Sequence, residues 1–268
     1  MEKIIKFLLY QINGLFPFIY EALPMFKSFN FIRGPFSYLK DYISYGSLSQ
    51  KQPTPFALDF WNTRPMLYDR FEKAGEIPKH YFYQDIWAAR KVYESKVSVH
   101  YDIGSRLNGF ISHCVVFTKV VMLDVRPLSI KLDNLEFVQT DATNMNNIES
   151  NSIESLSSLH AIEHFGLGRY GDPVDPQGYI KAIREIGRIL KKDGNVYFSA
   201  PVGKQRLEFN AHRIFDPKYI IELFSGLELK EFSYIDDNEN LIVSADIKEV
   251  LNQNYSCGLF YFKKKSVK

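Results

Sequence analysis

The stretch VSVHYDIGSRLNGF, residues 97–110, decides the fold of this chain. Its first half, residues 97–103, has the β-branched and apolar pattern of a strand. Its second half holds Gly104 and Gly109, which permit a tight turn, and an apolar helix is predicted from Phe110 to Phe117. A strand that turns directly into a helix is the opening half of a crossover unit, so a parallel sheet is expected.

The same alternation of strand and helix continues after this stretch. Further strands are predicted over residues 119–125, 135–142, 153–161 and 194–202, with a helix over 177–191. A helix near 216–224 and two late strands, 241–247 and 257–264, complete the pattern, and the late strands would form an antiparallel edge hairpin. We therefore predict an α/β fold with a doubly wound, mostly parallel, seven-stranded sheet.

The chain is predicted to divide near residues 50–75, where KQPTP, residues 51–55, would break a helix. Residues 1–75 form an aromatic-rich, mainly helical extension in this reading, and residues 76–268 form the α/β domain. Residues 1–26 are apolar, but polar residues and prolines interrupt them too often for a membrane span. This segment is expected to pack on the domain, with a membrane-surface contact or dimerisation as alternatives.

Composition excludes some classes of partner. The chain has 268 residues, 46% of them hydrophobic and 24% charged, and a net charge of only +2. A nearly neutral chain offers no electrostatic reason to bind nucleic acid, so a small molecule or a sugar fits better. Cys114 and Cys257 match no disulfide or metal spacing, which indicates buried thiols and a cytoplasmic location.

Carboxylates end three successive predicted strands, where ligands bind in sheets of this kind. Asp102 ends the first strand, ahead of a turn that holds Gly104, Ser105 and Arg106. Asp124 ends the second and could accept hydrogen bonds from both ribose hydroxyls of a nucleoside cofactor. Asp141 and Ala142 end the third, where an acceptor would suit the amine of adenine, although Asp141 could equally cap a helix.

This series, together with RILKKDGNVYFSAP at residues 188–201, resembles the class I S-adenosylmethionine-dependent methyltransferases over about residues 80–265. DIGSRLNGF, LDVRPL and EHFGLGRYGDPVDPQG are also similar to bacterial methyltransferase-like proteins associated with surface-polysaccharide genes. The resemblance implies S-adenosylmethionine as cofactor and a sugar or glycan intermediate as substrate. The cofactor contacts that follow are Asp102, Gly104, Ser105, Arg106, Asp124, Asp141, Ala142 and His160.

The segment HAIEHFGLGRYGDPVDP, residues 160–176, is the candidate for substrate chemistry. His164 is predicted to take the proton of an acceptor hydroxyl, with Glu163 orienting it or binding a sugar hydroxyl. His212 is a second candidate base. Contacts with polar substrate are predicted for Tyr170, Asp172 and Asp175.

Three other readings of the sequence are weighed against this one. His160, Glu163 and His164 match a zinc-peptidase spacing, but a strand precedes them and glycines follow, so we predict no metal site. A catalytically silent protein of the methyltransferase fold is one alternative, because the glycine loop lacks its second glycine. A nucleotide-dependent oxidoreductase is the other, although the G-x-G-x-x-G pattern is absent.

Overall fold

The structure, a computed structural model, describes residues 30–52, 54–56, 58–72 and 77–265. The chain falls into two compact units, Met1–Glu76 and Ile77–Lys268. In the first unit, helix α1 spans Asn30–Lys51, and single 3-10 turns follow at Phe60–Asn62 and Asp69–Phe71. The expectations for residues 1–26 fall outside the described residues. Across the described ranges, no helix combines the length and apolarity needed to cross a membrane.

The second unit is an α/β domain. Its helices are α2, Lys79–Ser95; α3, Ser112–Cys114; α4, Gly178–Ile189; and α5, Pro217–Leu223. The strands are β1, Val99–Ile103; β2, Lys119–Asp124; β3, Leu135–Gln139; β4, Ile153–Leu159; β5, Leu190–Val202; β6, Arg206–Glu208; β7, His212–Ile214; β8, Leu227–Ile235; β9, Leu241–Ile242; and β10, Ser256–Lys264. Short irregular turns lie at Leu107–Ile111, Ile162–His164 and Glu249–Asn252.

Eight strands form one sheet in the order β3-β2-β1-β4-β5-β10-β8-β9. The strands from β3 to β5 are parallel, and β10, β8 and β9 continue the sheet antiparallel. The order of the strands along the chain reverses between β1 and β4. In such sheets that switch point opens a crevice at the carboxyl ends of the strands, which positions the candidate site.

Two hydrophobic clusters form the core. One contains Ile183 and Ile186 of α4, and the other contains Ala88 and Val92 of α2. Strand β10 contributes alternate residues to the two clusters, Phe260 and Phe262 to the first and Cys257 and Leu259 to the second. This alternation is what a strand buried on both faces requires. Both cysteines are buried and free.

The prediction of a doubly wound, mostly parallel sheet is confirmed, with eight strands in place of seven. The predicted hairpin of the two late strands is wrong, because β10 pairs with β5 and β8, whereas β9 pairs with β8. The strand of this sheet that sequence reasoning missed is β8, whose charged Glu228, Lys230 and Glu231 interrupt its apolar residues. The short strands β6 and β7, which pair outside this sheet, were missed as well. The strand predicted over residues 241–247 is only Leu241–Ile242, because Ser244 adopts a positive φ of 53° and the chain leaves the sheet. The helix predicted from Phe110 to Phe117 is shorter and irregular.

Candidate functional site

A cavity of about 770 Å³ opens where β1, β2, β3 and β4 end. Its volume lies within the range of small-molecule sites, roughly 300–1,000 Å³. The structure brings to this cavity every predicted site residue except Asp102. The residues that line it are Gly104, Ser105, Arg106, Asp124, Asp141, Ala142, His160, Glu163, His164, Tyr170, Asp172, Asp175 and His212.

Gly104 makes the turn that follows β1. Its φ is +70°, in the left-handed region, and its N–H donates to the carbonyl oxygen of Leu123 at 3.0 Å. A β-carbon at this position would lie 3.1 Å from the β-carbon of Ala161. The backbone therefore passes close to the loop after β4 and leaves the cavity side of the turn free of a side chain.

Gly104→Ala is expected to lower the free energy of unfolding by about 1–2 kcal/mol, because an alanine is strained at this φ. Urea unfolding of the ligand-free chain measures this. Gly187→Ala is the matched control: Gly187 lies inside α4 with no atom within 4 Å of its added β-carbon. The control should gain roughly 0.5–1 kcal/mol. Equal effects of the two substitutions would contradict a strained turn.

Asp102 is fully buried and does not line the cavity. Its Oδ1 accepts from the N–H of Ser105 at 2.9 Å, and its Oδ2 accepts from the hydroxyls of Ser105, at 2.6 Å, and Ser157. Burial raises the pKa of this carboxyl to about 6. These contacts correct the prediction that Asp102 contacts a cofactor. The residue instead fixes the Gly104 turn from beneath.

A buried histidine extends this network. Nε2 of His100 lies 2.9 Å from the hydroxyl of Ser157, and its Nδ1 lies 2.8 Å from that of Ser155. Because Ser157 donates its proton to Asp102, it must accept from Nε2–H of His100, which leaves Nδ1 to accept from Ser155. Burial lowers the pKa of His100 to about 3, so the ring is neutral. The Gly104 turn is thus supported by side chains from both β1 and β4.

Asp124 lines the cavity at the end of β2 but already has a partner. Oδ1 of Asp124 accepts from the backbone N–H of Arg126 at 2.9 Å and from the side-chain Nε of Arg126 at 3.0 Å. Oδ2 of Asp124 accepts from Nη2 of the same arginine at 2.7 Å. A carboxylate offers about four acceptor positions. With Arg126 in place, one position, on Oδ2, is left for a ligand.

The first loop and the end of β3 supply further polar groups. The guanidinium of Arg106 lies over the ring of Tyr81, 4.7 Å from its centroid. Oδ1 of Asp141 accepts from the N–H of Thr143 at 2.8 Å and so closes a turn. No helix begins here, so the alternative that Asp141 caps a helix is wrong. Ala142 is buried beside it.

His160 begins the loop after β4 with a positive φ of 48°. Its Nδ1 lies 2.5 Å from Oε1 of Gln84, and the ring lies 5.5 Å from that of Tyr81. Burial lowers the pKa of His160 to about 3. Because Oε1 of Gln84 can only accept, Nδ1 carries the proton and Nε2 is an acceptor.

Glu163 and His164 lie side by side in the cavity wall. Nδ1 of His164 lies 2.6 Å from the carbonyl oxygen of Ala211, so it carries the proton and Nε2 keeps a lone pair. Nε2 is 3.7 Å from Oε1 of Glu163. Burial lowers the pKa of His164 to about 4 and raises that of Glu163 to about 8. At neutral pH both groups are therefore uncharged.

The second candidate base comes from the hairpin of β6 and β7. The ring of His212 lies 6.3 Å from that of His164 and 5.4 Å from that of Tyr255. Its Nε2 lies 3.1 Å from Oε2 of Glu208, although the angle is not that of a hydrogen bond. Burial lowers the pKa of His212. The structure thus places both candidate bases, His164 and His212, in the same wall of the cavity.

The three predicted substrate contacts differ in their freedom. Tyr170 is 41% exposed. Oδ2 of Asp172 accepts from the N–H of Gly166 at 2.7 Å, and Asp175 pairs with Lys181 at 2.7 Å. The two aspartates thus hold the loop together, and Tyr170 is the member of this set that is free to contact a ligand.

Several cavity residues were missed from the sequence. Arg126 and Arg169 were not predicted, and their guanidinium carbons lie over the ring of Tyr170, 4.7 Å and 5.2 Å from its centroid. Arg126 follows the end of β2 by two positions, a spacing that could have suggested its pairing with Asp124. Tyr81 comes from α2, before the first strand, and nothing in the strand-end pattern indicated it. No group of three or more histidine, cysteine or carboxylate side chains within the described part of the chain is arranged to hold a metal ion.

Solved structures share this architecture. The N-methyltransferase NodS from Bradyrhizobium japonicum WM9, in complex with S-adenosylhomocysteine, matches 76% of this chain and 94% of its own at 15% identity, with a TM-score of 0.51. Phosphoethanolamine N-methyltransferase 2 from Haemonchus contortus, bound to phosphomonomethylethanolamine and S-adenosylhomocysteine, also has a TM-score of 0.51 at 15% identity. That match covers 69% of this chain and 53% of the other. The domain therefore has the Rossmann-like methyltransferase fold.

Comparison by sequence gives a family. No curated protein sequence matches this chain. Residues 119–263 match the family described as "Caenorhabditis protein of unknown function, DUF268", which gives no support to an association with bacterial polysaccharide genes. The match covers more than half of the 268 residues, from β2 to β10. The chain belongs to the DUF268 family.

Proposed function

We propose that this chain is an S-adenosylmethionine-dependent methyltransferase and that its acceptor is a hydroxyl group of a sugar or glycan intermediate. One observation carries the proposal: the Gly104 turn and the carboxylates of Asp124 and Asp141 follow three parallel strands and line a single cavity. The fold itself is compatible with this activity but does not establish it, because one fold hosts many functions.

The residues present fit the cofactor. The free acceptor position on Oδ2 of Asp124 suits a ribose hydroxyl, and the exposed carboxylate of Asp141 suits the adenine amine. The left-handed turn at Gly104 gives the amino-acid tail room, and the guanidinium of Arg106 can pair with its carboxylate. When bound, the cofactor supplies an activated methyl group. The remaining task of the protein is to align the acceptor and remove its proton.

Asp124→Ala is expected to weaken S-adenosylhomocysteine binding roughly tenfold to a hundredfold, because the one charge-assisted hydrogen bond that Oδ2 can accept from the ligand, of about 1.5–3 kcal/mol, is lost. Calorimetry measures the affinity. Arg126→Ala is the matched control: it removes the partner of Asp124 but keeps the carboxylate, so affinity should stay within a few-fold. An unchanged affinity in a folded Asp124→Ala variant would remove this residue from the cofactor site.

His164 is the proposed base for the acceptor hydroxyl. Its Nδ1–H is held by the carbonyl oxygen of Ala211, and its neutral Nε2 is available to accept a proton. Tyr170, at the side of the His164 ring, is the proposed contact for the sugar. The acceptor is tested with methyl-labelled cofactor and a panel of sugars and glycans. Label in a sugar ether supports the proposal, whereas full binding of S-adenosylhomocysteine with no turnover on any of them favours a silent binder.

A further inference from the structure

Glu163 differs from the other carboxylates of the cavity. Its side chain is 1% exposed, and neither Oε1 nor Oε2 has a hydrogen-bond partner. The other cavity-lining carboxylates, among the residues that the structure describes, each accept at least one hydrogen bond: Asp124 from Arg126, Asp141 from Thr143, Asp172 from Gly166 and Asp175 from Lys181. Among these cavity carboxyls, Glu163 therefore lacks a hydrogen-bond partner from the described residues.

The surroundings of Glu163 do not neutralise it either. Its backbone carbonyl accepts from Arg213 at 3.2 Å, but the carboxyl receives nothing from that guanidinium. Arg169 lowers the pKa of Glu163 through its charge, yet its Nη1 donates to the carbonyl oxygen of Ala211 at 2.8 Å instead. The other titratable groups that face Glu163 are Tyr81 of α2, Tyr255 just before β10, Cys257 at the start of β10, and His164.

A buried polar group without a partner destabilises the folded chain, so a ligand that pairs with it is favoured. This step rests on the proposed function. The sulfur of S-adenosylmethionine joins the ribose to the amino-acid tail, and its sulfonium bears a positive charge with no hydrogen to donate. Such a charge pairs with an anion through Coulomb attraction alone, which is strong where water is excluded.

Strand order places Glu163 beside the expected position of this charge. The ribose contact, Asp124, ends β2, the tail contact, Gly104, follows β1, and β1 lies between β2 and β4. Gly104 lies against Ala161, two residues before Glu163. If Asp124 and Gly104 hold the ribose and the tail as proposed, the loop that carries Glu163 would border the part of the cofactor that contains the sulfur.

We propose that Glu163 is ionised when S-adenosylmethionine is bound, as the counter-charge of the sulfonium, and that it holds the proton of the acceptor after methyl transfer. The step balances. The S–CH3 bond breaks with its electron pair left on sulfur, the bond from the acceptor oxygen to the methyl carbon forms, and the hydroxyl proton passes to Nε2 of His164. Nε2 and Oε1 of Glu163 are 3.7 Å apart in the ligand-free chain, so the two groups must approach to hydrogen-bond distance in the complex before the proton continues to Oε1. A cation and a carboxylate become a neutral thioether and a carboxylic acid.

The linked protonation is measurable without turnover. Binding of S-adenosylmethionine and of S-adenosylhomocysteine to the full chain is compared by calorimetry at pH 7 in buffers of different ionisation enthalpy. Because Glu163 has a pKa of about 8 in the ligand-free chain, S-adenosylmethionine should release about one proton more than S-adenosylhomocysteine. The affinity for S-adenosylmethionine, divided by that for S-adenosylhomocysteine, should rise about tenfold for each pH unit between about pH 6 and 8. The amino-acid tail is common to both ligands, so its titration largely cancels.

Glu163→Gln should abolish the difference in proton release between the two ligands while both still bind. Asp175→Asn, which alters a cavity carboxylate already paired with Lys181, should keep the wild-type difference. Equal proton release by the two ligands in the wild-type chain would overturn this inference and leave the proposed function standing, as would a difference that persists in Glu163→Gln. Failure of both ligands to bind would overturn the proposed function itself.

Discussion

His164→Ala is expected to lower turnover by roughly a hundredfold to ten-thousandfold, the usual contribution of a general base. Affinity for S-adenosylhomocysteine should stay within a few-fold, because the loss falls on proton removal and not on cofactor binding. Since burial lowers the pKa of His164 to about 4, its Nε2 is unprotonated above about pH 5. The wild-type rate should therefore show no loss from His164 protonation between pH 5 and 8. Steady-state kinetics across this range measures both quantities.

His212→Ala is the matched control for this prediction. The two rings lie 6.3 Å apart in the same wall, so general damage to the cavity should affect both variants alike. A large loss in His212→Ala with little loss in His164→Ala would move the base to the hairpin of β6 and β7. Little loss in either variant would mean that methyl transfer relies on alignment of the acceptor alone.

Glu163→Gln is expected to stabilise the ligand-free chain at alkaline pH. The pKa of Glu163 is about 8 when folded against an ordinary value of 4.5, so the folded state binds more protons than the unfolded state between these values. Wild-type stability therefore loses this contribution as pH rises from about 4.5 to 8, at about 1.4 kcal/mol per pH unit. The glutamine variant has no such titration. The free energy of unfolding of Glu163→Gln should therefore exceed that of wild type by on the order of 4 kcal/mol at pH 8.

The free energy of unfolding of Glu163→Gln and of wild type is measured in urea at several pH values. Taking the difference between the two proteins cancels the contributions of the other buried groups, which both share. Glu185→Gln is a control of opposite sign, because hydrogen bonding to Arg188 lowers the pKa of Glu185. That variant should be less stable than wild type at neutral pH and should converge with it in acid. A Glu163→Gln variant whose advantage does not grow with pH would show that Glu163 is ionised in the fold, in conflict with its burial.

The sequence predicted the parts of the molecule that are local in the chain. The turn at Gly104 and the strand ends at Asp124 and Asp141 follow from short-range patterns, because the carboxyl ends of parallel strands meet at one edge. Strand β8 was missed because Glu228, Lys230 and Glu231 outnumber the apolar residues in its first half, residues 227–231. The eighth strand changes the antiparallel side of the sheet and leaves the site in place.

The role of Asp102 could not be predicted in the same way. Ser157, which donates to its carboxylate, lies far along the chain on β4, and only the pairing of β1 with β4 brings them together. The unpaired state of Glu163 is also a property of the packed cavity, since the sequence places His164 beside it but does not fix their geometry. The sequence therefore identifies Asp102 and Glu163 as candidate site residues, whereas their contacts and protonation states depend on tertiary packing.

Binding of S-adenosylhomocysteine to the full wild-type chain, followed by calorimetry with NAD as the comparison ligand, tests the central claim most directly. We predict one binding site for S-adenosylhomocysteine, whose affinity Asp124→Ala weakens roughly tenfold to a hundredfold, and no heat of binding from NAD. Binding of NAD with no binding of S-adenosylhomocysteine would contradict a methyltransferase site and would support a nucleotide-dependent oxidoreductase instead.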